Sequence, residues 1–432
     1  MNRRSFLKLP ALLPLIGVEP APPSTEHHFQ YEAVIGTSLD LVVWSTGSRA
    51  ADGACRTVLD EVDRLASILD TRNPASEIAM LERSSAARGT SRELREVLGA
   101  YDEWERRTGG IVSIRPGGAG TPRDVDALGK SYIIDRASAA ALNAWPAIDG
   151  LLLDIGGDIV ISGRSRSIAI ADPDAPYDNA RPIATIDLRN AAVATSGTYA
   201  RGEHFRDART GRVVPTSVAA TVVAPDAVTA NVLATTLCMT SADDGLRLVE
   251  STPGAHALRI ESGMLRRTSG FASLERPLAD QVQAPAAWPA GYKFSLTLPL
   301  TGGRSSKRPY VAVWVEDASG KVVRVLAVWG TNSKYYSDLS AMWGHLHGSF
   351  KQLQPVTRAT RPAGKYELAW DGLDAEHKPV PPGSYQVIVE TNQEHGTYAK
   401  QSGTILLGDK PASVTLPATT NFDIVQIRYG PA

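Results

Sequence analysis

The feature that most constrains this chain is a change of grammar between Pro277 and Pro289. Before it, helical and strand periodicities share one stretch of sequence. Beyond it, candidate strands follow one another with no helical segment between them. Gln281 to Pro289, rich in Ala and Pro, reads as a linker. A chain divided in this way needs two hydrophobic cores, and 432 residues supply them without disulfide staples.

In the first part, Val34 to Trp44 reads as a strand interrupted at Gly36-Thr37. Ala54 to Asp70 has helical spacing, with Val58, Val62, Leu65 and Leu69 on one face. Glu93 to Arg107 is a second helix, stopped by Gly109-Gly110, and Ile133 to Ala144 a third, stopped by Trp145-Pro146. Leu151 to Ile155 is a buried strand ending in Gly156-Gly157-Asp158, and Ile159 to Ser162 continues it. Ser217 to Ala224 alternates as a strand, and Ala230 to Thr240 is helical. The mixture predicts an α+β domain over residues 28–277.

In the second part, seven strands are expected: Lys293–Leu300, Tyr310–Glu316, Val322–Trp329, Tyr366–Trp370, Tyr385–Glu390, Thr404–Leu407 and Phe422–Arg428. Asp317 to Gly320 and Pro381-Pro382-Gly383 punctuate them. Short aromatic strands at regular spacing predict an all-β sandwich over residues 290–432.

The first residues read as an address. Arg3-Arg4-Ser5-Phe6-Leu7-Lys8 precedes an apolar run from Leu9 to Val18, then a Pro-rich stretch. This is the plan of an export signal of twin-arginine type over residues 1–24, and the run is too short to span a bilayer. The expected mature protein is exported, periplasmic or otherwise extracytoplasmic, and not transmembrane. Lys plus Arg (45) nearly cancels Asp plus Glu (46), so no basic excess points to nucleic acid as a partner. Two cysteines, Cys55 and Cys238, are too few for a disulfide scaffold or a four-cysteine metal site. Both read as buried thiols, with a bridge between them left open. His345 and His347 alternate as on one strand face, which by itself is not a metal site.

Four segments could carry chemistry. Asp124 to Ala137 places a carboxylate, Gly129 and Lys130 directly before a helix, where phosphate oxygens are readily seated. Asp154-Ile155-Gly156-Gly157-Asp158 ends a strand with two missing side chains, so a ligand can approach the backbone. Ala194 to Tyr199, then His204 to Gly211, gathers hydroxyls, an imidazole and the Asp207 carboxylate. In Val228 to Thr235, Asn231 and Thr235 are four apart and share a helix face. Taken alone, these segments favour a bland reading: a solvated helix face, a strand bulge, a core histidine.

Read in order, these segments resemble the ApbE family of FAD:protein FMN transferases. That family reads Leu-Gly-Gly-x-Ala-Lys-Gly-Tyr-x-x-Asp, Leu-Gly-Gly-Asp, Thr-Ser-Gly-x-Tyr, His-Ile-x-Asp-Pro-x-Thr-Gly and Ala-Asp-x-x-x-Thr. Counterparts of all five blocks occur between Asp124 and Thr235, and Gly36-Thr37 and Pro74 to Leu81 match two earlier ones. The resemblance covers about residues 30–275. The second half, through Trp370 to Asp374 and Pro381 to Ile388, is similar to the Ig-like sandwich module of flagellar hook-capping proteins. The fold expected is thus an α+β ApbE-like flavin transferase domain followed by an all-β Ig-like sandwich domain.

The resemblance implies a reaction: FAD is bound with Mg²⁺, and its FMN moiety passes to a threonine hydroxyl of an exported acceptor protein, releasing AMP. It implies FAD contacts at Ile35, Gly36, Thr37, Asp124, Lys130 and Val214, and a flavin pocket lined by Gly156, Gly157, Asp158 and Ser196. His204, Asp207 and Lys130 would be the catalytic groups. The metal would lie between the carbonyl of Ala127 and the side chains of Asn231 and Thr235. The sandwich would serve docking, toward the acceptor or a membrane redox protein.

The chain also departs from the family pattern. Asn231 stands for the metal aspartate, Arg72 for an aromatic residue, and Gly110-Ile111-Val112-Ser113 for Gly-Ala-Phe-Asp. The stretch from Gly110 to Asp124 is shortened. Two rival expectations follow: a degenerate, non-catalytic FAD-binding protein, or a pyrophosphatase that cleaves FAD to FMN and AMP.

Overall fold

The computed structural model describes residues 24–84, 89–118, 120–174, 179–180, 182–198, 205–214, 216–276, 288–301, 307–330, 333–346, 357–358, 360–376 and 378–431. The export signal and the linker lie almost wholly outside the described residues, and His204 and His347 lie outside them as well.

β1 (Thr25–Val34) and β2 (Thr37–Ser45) form a hairpin, followed by α1 (Ser48–Leu69), α2 (Glu77–Ser84), α3 (Arg92–Arg107) and α4 (Asp126–Ala144). β3 (Ile148–Ile155) and β4 (Asp158–Ser162) form a second hairpin, and β5 (Arg166–Ile170) pairs with β6 (Ala184–Leu188). β7 (Ala191–Gly197), β8 (Ala219–Ala224), α5 (Ala227–Met239), α6 (Ala242–Glu250), β9 (His256–Glu261) and β10 (Met264–Arg267) complete the domain. Eight strands make one antiparallel sheet in the order β1-β2-β3-β4-β7-β8-β9-β10.

Alternation along β2 shows why both faces of the sheet are covered. Leu39, Leu41 and Val43 join a core shared with Val58, Val62 and Leu65 of α1 and Ile134 of α4. Val42 and Trp44 point the other way, into a second cluster with Ile186 and Phe271 under the β5–β6 ribbon. Each fully buried side chain of this size is worth roughly 1.5–3 kcal/mol, so the apolar stripe of α1 holds it to the sheet.

Two expectations about these elements are corrected. α4 begins at Asp126, seven residues before Ile133, so Lys130 lies within the helix and not ahead of it. The reason is a remote cap: the backbone N–H of Leu128 donates to the buried hydroxyl of Tyr101 on α3 at 3.1 Å. Ile159 to Ser162 does not continue β3 but returns antiparallel as β4, with Ile155 opposite Asp158. Both turn glycines have positive φ (62° and 91°), and a Cβ on Gly156 would lie 2.7 Å from Thr37 Oγ1. Cys55 and Cys238 are both free and buried, as the sequence suggested, and the bridge left open is not made.

The second domain has two sheets around one core. Its strands are β11 (Tyr292–Leu300), β12 (Tyr310–Glu316), β13 (Val322–Trp329), β14 (Thr357–Arg358), β15 (Gly364–Trp370), β16 (Gly383–Asn392), β17 (Tyr398–Leu407), β18 (Ala412–Leu416) and β19 (Val425–Pro431). The sheets run β15-β11-β19-β18 and β14-β13-β12-β16-β17. Phe294, Leu296, Trp370 and Ile427 of one meet Val313, Trp329 and Val389 of the other. A helix is also present, α7 (Ser340–Leu346), against the expectation of none. β12 is apolar from Tyr310 to Val315 and β13 is interrupted only by Arg324, so neither simply alternates and their outer face needs a cover. Leu339 and Met342 supply it over Ala312, Trp314 and Val328.

Candidate functional site

Asp158, the first residue of β4, is the hub of the site and only 4% exposed. Its Oδ2 receives the Lys130 ammonium at 2.8 Å, the Ser131 hydroxyl at 3.2 Å and the Asn231 amide at 2.9 Å. The turn at Gly156–Gly157 aims Asp158 at α4, and α5 brings Asn231 from the other side. A buried carboxylate with one cation and two neutral donors is well satisfied. One turn along α5, Thr235 Oγ1 lies 3.3 Å from Ser196 Oγ on β7.

Two further carboxylates organise this end of the domain. Asp135 of α4 accepts the backbone N–H groups of Ala227 at 2.9 Å and Val228 at 3.2 Å, while Asp226 accepts that of Thr229 at 2.7 Å. The first turn of α5 is thereby held by carboxylates, which fixes Asn231 one turn later. Burial, then the charges of Asp226 and Asp158, push Asp135 up to about 7 against those N–H bonds. Asp154 accepts the Gly157 N–H at 2.8 Å and is also pushed up to about 7, by burial first and then by the cross-strand charge of Asp40.

Beside this cluster runs a groove of about 700 Å³, between the C-terminal end of α1 and the first turns of α4. The β1–β2 turn forms its rim with Ile35, Gly36 and Thr37, and Lys130 stands in its wall. Ile35 (φ 43°) and Gly36 (φ 84°) both adopt the left-handed conformation that a two-residue hairpin demands.

Lys130, Asp158 and Asn231 are therefore joined by direct bonds, Ser196 meets Thr235, and Thr37 packs on Gly156. Ala127 is in the first turn of α4, and Asp124 is exposed just before it, its N–H donating to the Ile114 carbonyl at 2.7 Å. Asp207 and Val214 belong to a separate small hairpin, residues 205–214, closed by the Val214 N–H on the Phe205 carbonyl at 2.8 Å. There the Asp207 carboxylate takes Arg209 at 2.7 and 2.9 Å, and those bonds hold it below the usual carboxylate range. Ser131 and Asp135 were not among the expected site residues, although both sit inside the Asp124–Ala137 segment. Their i, i+4 spacing is the signal that could have found them.

The donors named for a metal are oxygens, as a hard divalent cation requires. Because the Asn231 amide nitrogen is held by Asp158, its Oδ1 is the end able to face a cation, near the Thr235 hydroxyl. Neutral oxygens of this kind are donors that Mg²⁺ accepts. Among the described residues no three His, Cys, Asp or Glu side chains converge as a metal cluster.

Residues 115–259 match the model of the ApbE family, a span that contains Lys130, Asp158 and Asn231. The chain carries an ApbE-family domain. Residues 292–423 match the DUF2271 model, described as a predicted periplasmic protein, so the ApbE-family domain is followed by an all-β DUF2271 domain. Among solved structures the chain is similar to the ApbE protein of Thermotoga maritima MSB8, at 21% identity over 58% of this chain and 100% of that one, with a TM-score of 0.49. Flavin transferase ApbE from Vibrio cholerae is 19% identical over 58% of this chain and 100% of its own, TM-score 0.47. The apo form of Pseudomonas stutzeri flavinyl transferase ApbE is 17% identical over 60% and 100%, TM-score 0.49. No curated protein matches the chain.

Proposed function

We propose that this protein is an FAD:protein FMN transferase acting outside the cytoplasm, where the DUF2271 description also points. The observation that carries the reading is the ApbE-family match over residues 115–259, within which Lys130, Asp158 and Asn231 are bonded at a groove of about 700 Å³. That volume suits a dinucleotide.

In this reading a threonine Oγ of an exported acceptor forms a new P–O bond to the FMN phosphorus. The pyrophosphate P–O bond breaks, and AMP departs with its electron pair. Asp158 holds the Lys130 ammonium in place, and that ammonium faces the phosphate oxygens. Ile35, Gly36 and Thr37 border the bound dinucleotide, with Asp124 and Val214 as further contacts. Gly156, Gly157 and Ser196 leave room for the flavin. His204 takes the hydroxyl proton. Asp207, held anionic by Arg209, is a weak base and orients the hairpin in which it sits. The Ala127 carbonyl, Asn231 and Thr235 would hold Mg²⁺, which neutralises pyrophosphate charge when bound.

The test is incubation of the purified protein with FAD, Mg²⁺ and an exported acceptor. A flavin-fluorescent acceptor band in a denaturing gel, with AMP released in equal amount, is the expected result. AMP and FMN without a labelled acceptor would mean a pyrophosphatase. Bound FAD without AMP would mean a binding protein, a reading favoured by the neutral amide at Asn231.

A further inference from the structure

The groove carries a second cation that the reaction outlined above leaves without a role. Its charged lining residues are Asp63, Asp70, Arg72 and Lys130, two acids against two bases. Lys130 already serves Asp158. With all four counted the lining is balanced, and without Arg72 it would carry a net negative charge, which repels a pyrophosphate.

Arg72 follows α1 and its position is built, not incidental. Both its backbone N–H and its Nε donate to Asp70 Oδ1, at 3.0 and 3.1 Å. That pairing turns the far end of the guanidinium toward the rim of the groove. Its NH1 reaches within 3.9 Å of where a side chain at Gly36 would begin. The Arg72 side chain is 70% exposed, so a ligand in the groove can reach it. Gly36, with φ 84° and no side chain, leaves that approach open.

We propose that Arg72 is a specificity-determining residue of this groove, binding the phosphate oxygens of a dinucleotide through its planar fork. The inference rests on the proposed function for the class of substrate. A guanidinium offers paired N–H donors that match two oxygens of one phosphate, which an aromatic residue at this place cannot do. It supplies positive charge at the rim of the groove, in a protein whose proposed metal ligands, Asn231 and Thr235, are neutral. A stacking role against a flavin or adenine ring would instead be served by an aromatic side chain.

The test measures binding of FAD and of riboflavin to the full chain by flavin fluorescence, for wild type, Arg72→Ala, Arg72→Lys and Arg72→Tyr. Arg72→Ala should weaken FAD roughly tenfold and leave riboflavin, which has no phosphate, unchanged. Arg72→Lys should recover part of the loss, and Arg72→Tyr none of it. The wild-type affinity for FAD should also fall more steeply with salt than that of Arg72→Ala. Equal FAD affinity in wild type and Arg72→Ala overturns the assignment, as does recovery by Tyr or a parallel loss of riboflavin. A wild-type protein that binds neither flavin overturns the proposed function together with it.

Discussion

In the proposed reading, Asn231 sets how the site would treat a metal. An aspartate there would bring a second carboxylate to about the 2.9 Å at which the amide now meets Asp158, and two carboxylates in one site demand a cation. Asn231→Asp should therefore melt lower than wild type in chelator by roughly 4 °C, and Mg²⁺ should restore it while moving wild type less. Equal Mg²⁺ shifts in both proteins would refute this account. Asp154 gives a pH signature of its own. Its folded pKa of about 7 lies above the ordinary 3.8, so between those values the folded state keeps a proton that the unfolded state has lost. Its contribution is present below pH 4 and disappears as pH rises through 7. Asp154→Asn keeps an acceptor for the Gly157 N–H and removes the titration. At pH 8 it should raise the melting temperature by roughly 3–8 °C, with little gain at pH 4.

At the scale of the element, α7 depends on one buried carboxylate. Glu390 on β16 is fully buried and accepts the N–H groups of Ala341 and Met342 at 2.8 Å each, and the Tyr398 hydroxyl at 2.9 Å. Seven residues cannot form a helix unaided. Glu390→Ala should cost about 3 kcal/mol in urea unfolding by stranding those donors, and Glu390→Gln distinctly less. An unchanged midpoint in both variants would show that packing of Met342 alone holds the helix. This element marks the boundary of what sequence can tell. α7 is too short for periodicity, although the apolar runs of β12 and β13, broken only by Arg324, leave an outer face that must be covered. The start of α4 was illegible for a different reason: Val125 offers no side-chain cap, and Tyr101 is 27 residues away from the N–H it serves. The alternation of Leu39, Leu41 and Val43 could be read directly because it is local. The Lys130, Asp158 and Asn231 motifs were also visible one by one. Their meeting on one carboxylate was not, because it needs the α4, β4 and α5 packing that no spacing encodes.

At the scale of the molecule, the two cores meet through a small polar knot. Arg324 on β13, 8% exposed, donates to the Asp374 carbonyl at 2.9 Å within its own domain and to the Asn179 carbonyl at 3.1 Å in the other. Asn179 answers with its amide, 2.7 Å from the Ala369 carbonyl of β15. The Arg308–Glu32 pair, at 3.9 Å, adds a surface contact to β1, the strand that leads into the groove rim. Buried hydrogen bonds to a guanidinium are worth about 1.5–3 kcal/mol each, so this knot outweighs the surface pair. Arg324→Ala should uncouple the domains. In calorimetry the β-sandwich should melt several degrees earlier while the α+β domain keeps its midpoint, because only the former loses a bond of its own. If both domains kept their wild-type midpoints, the knot would be a contact without energetic weight, and the two domains would have to be held together by other means.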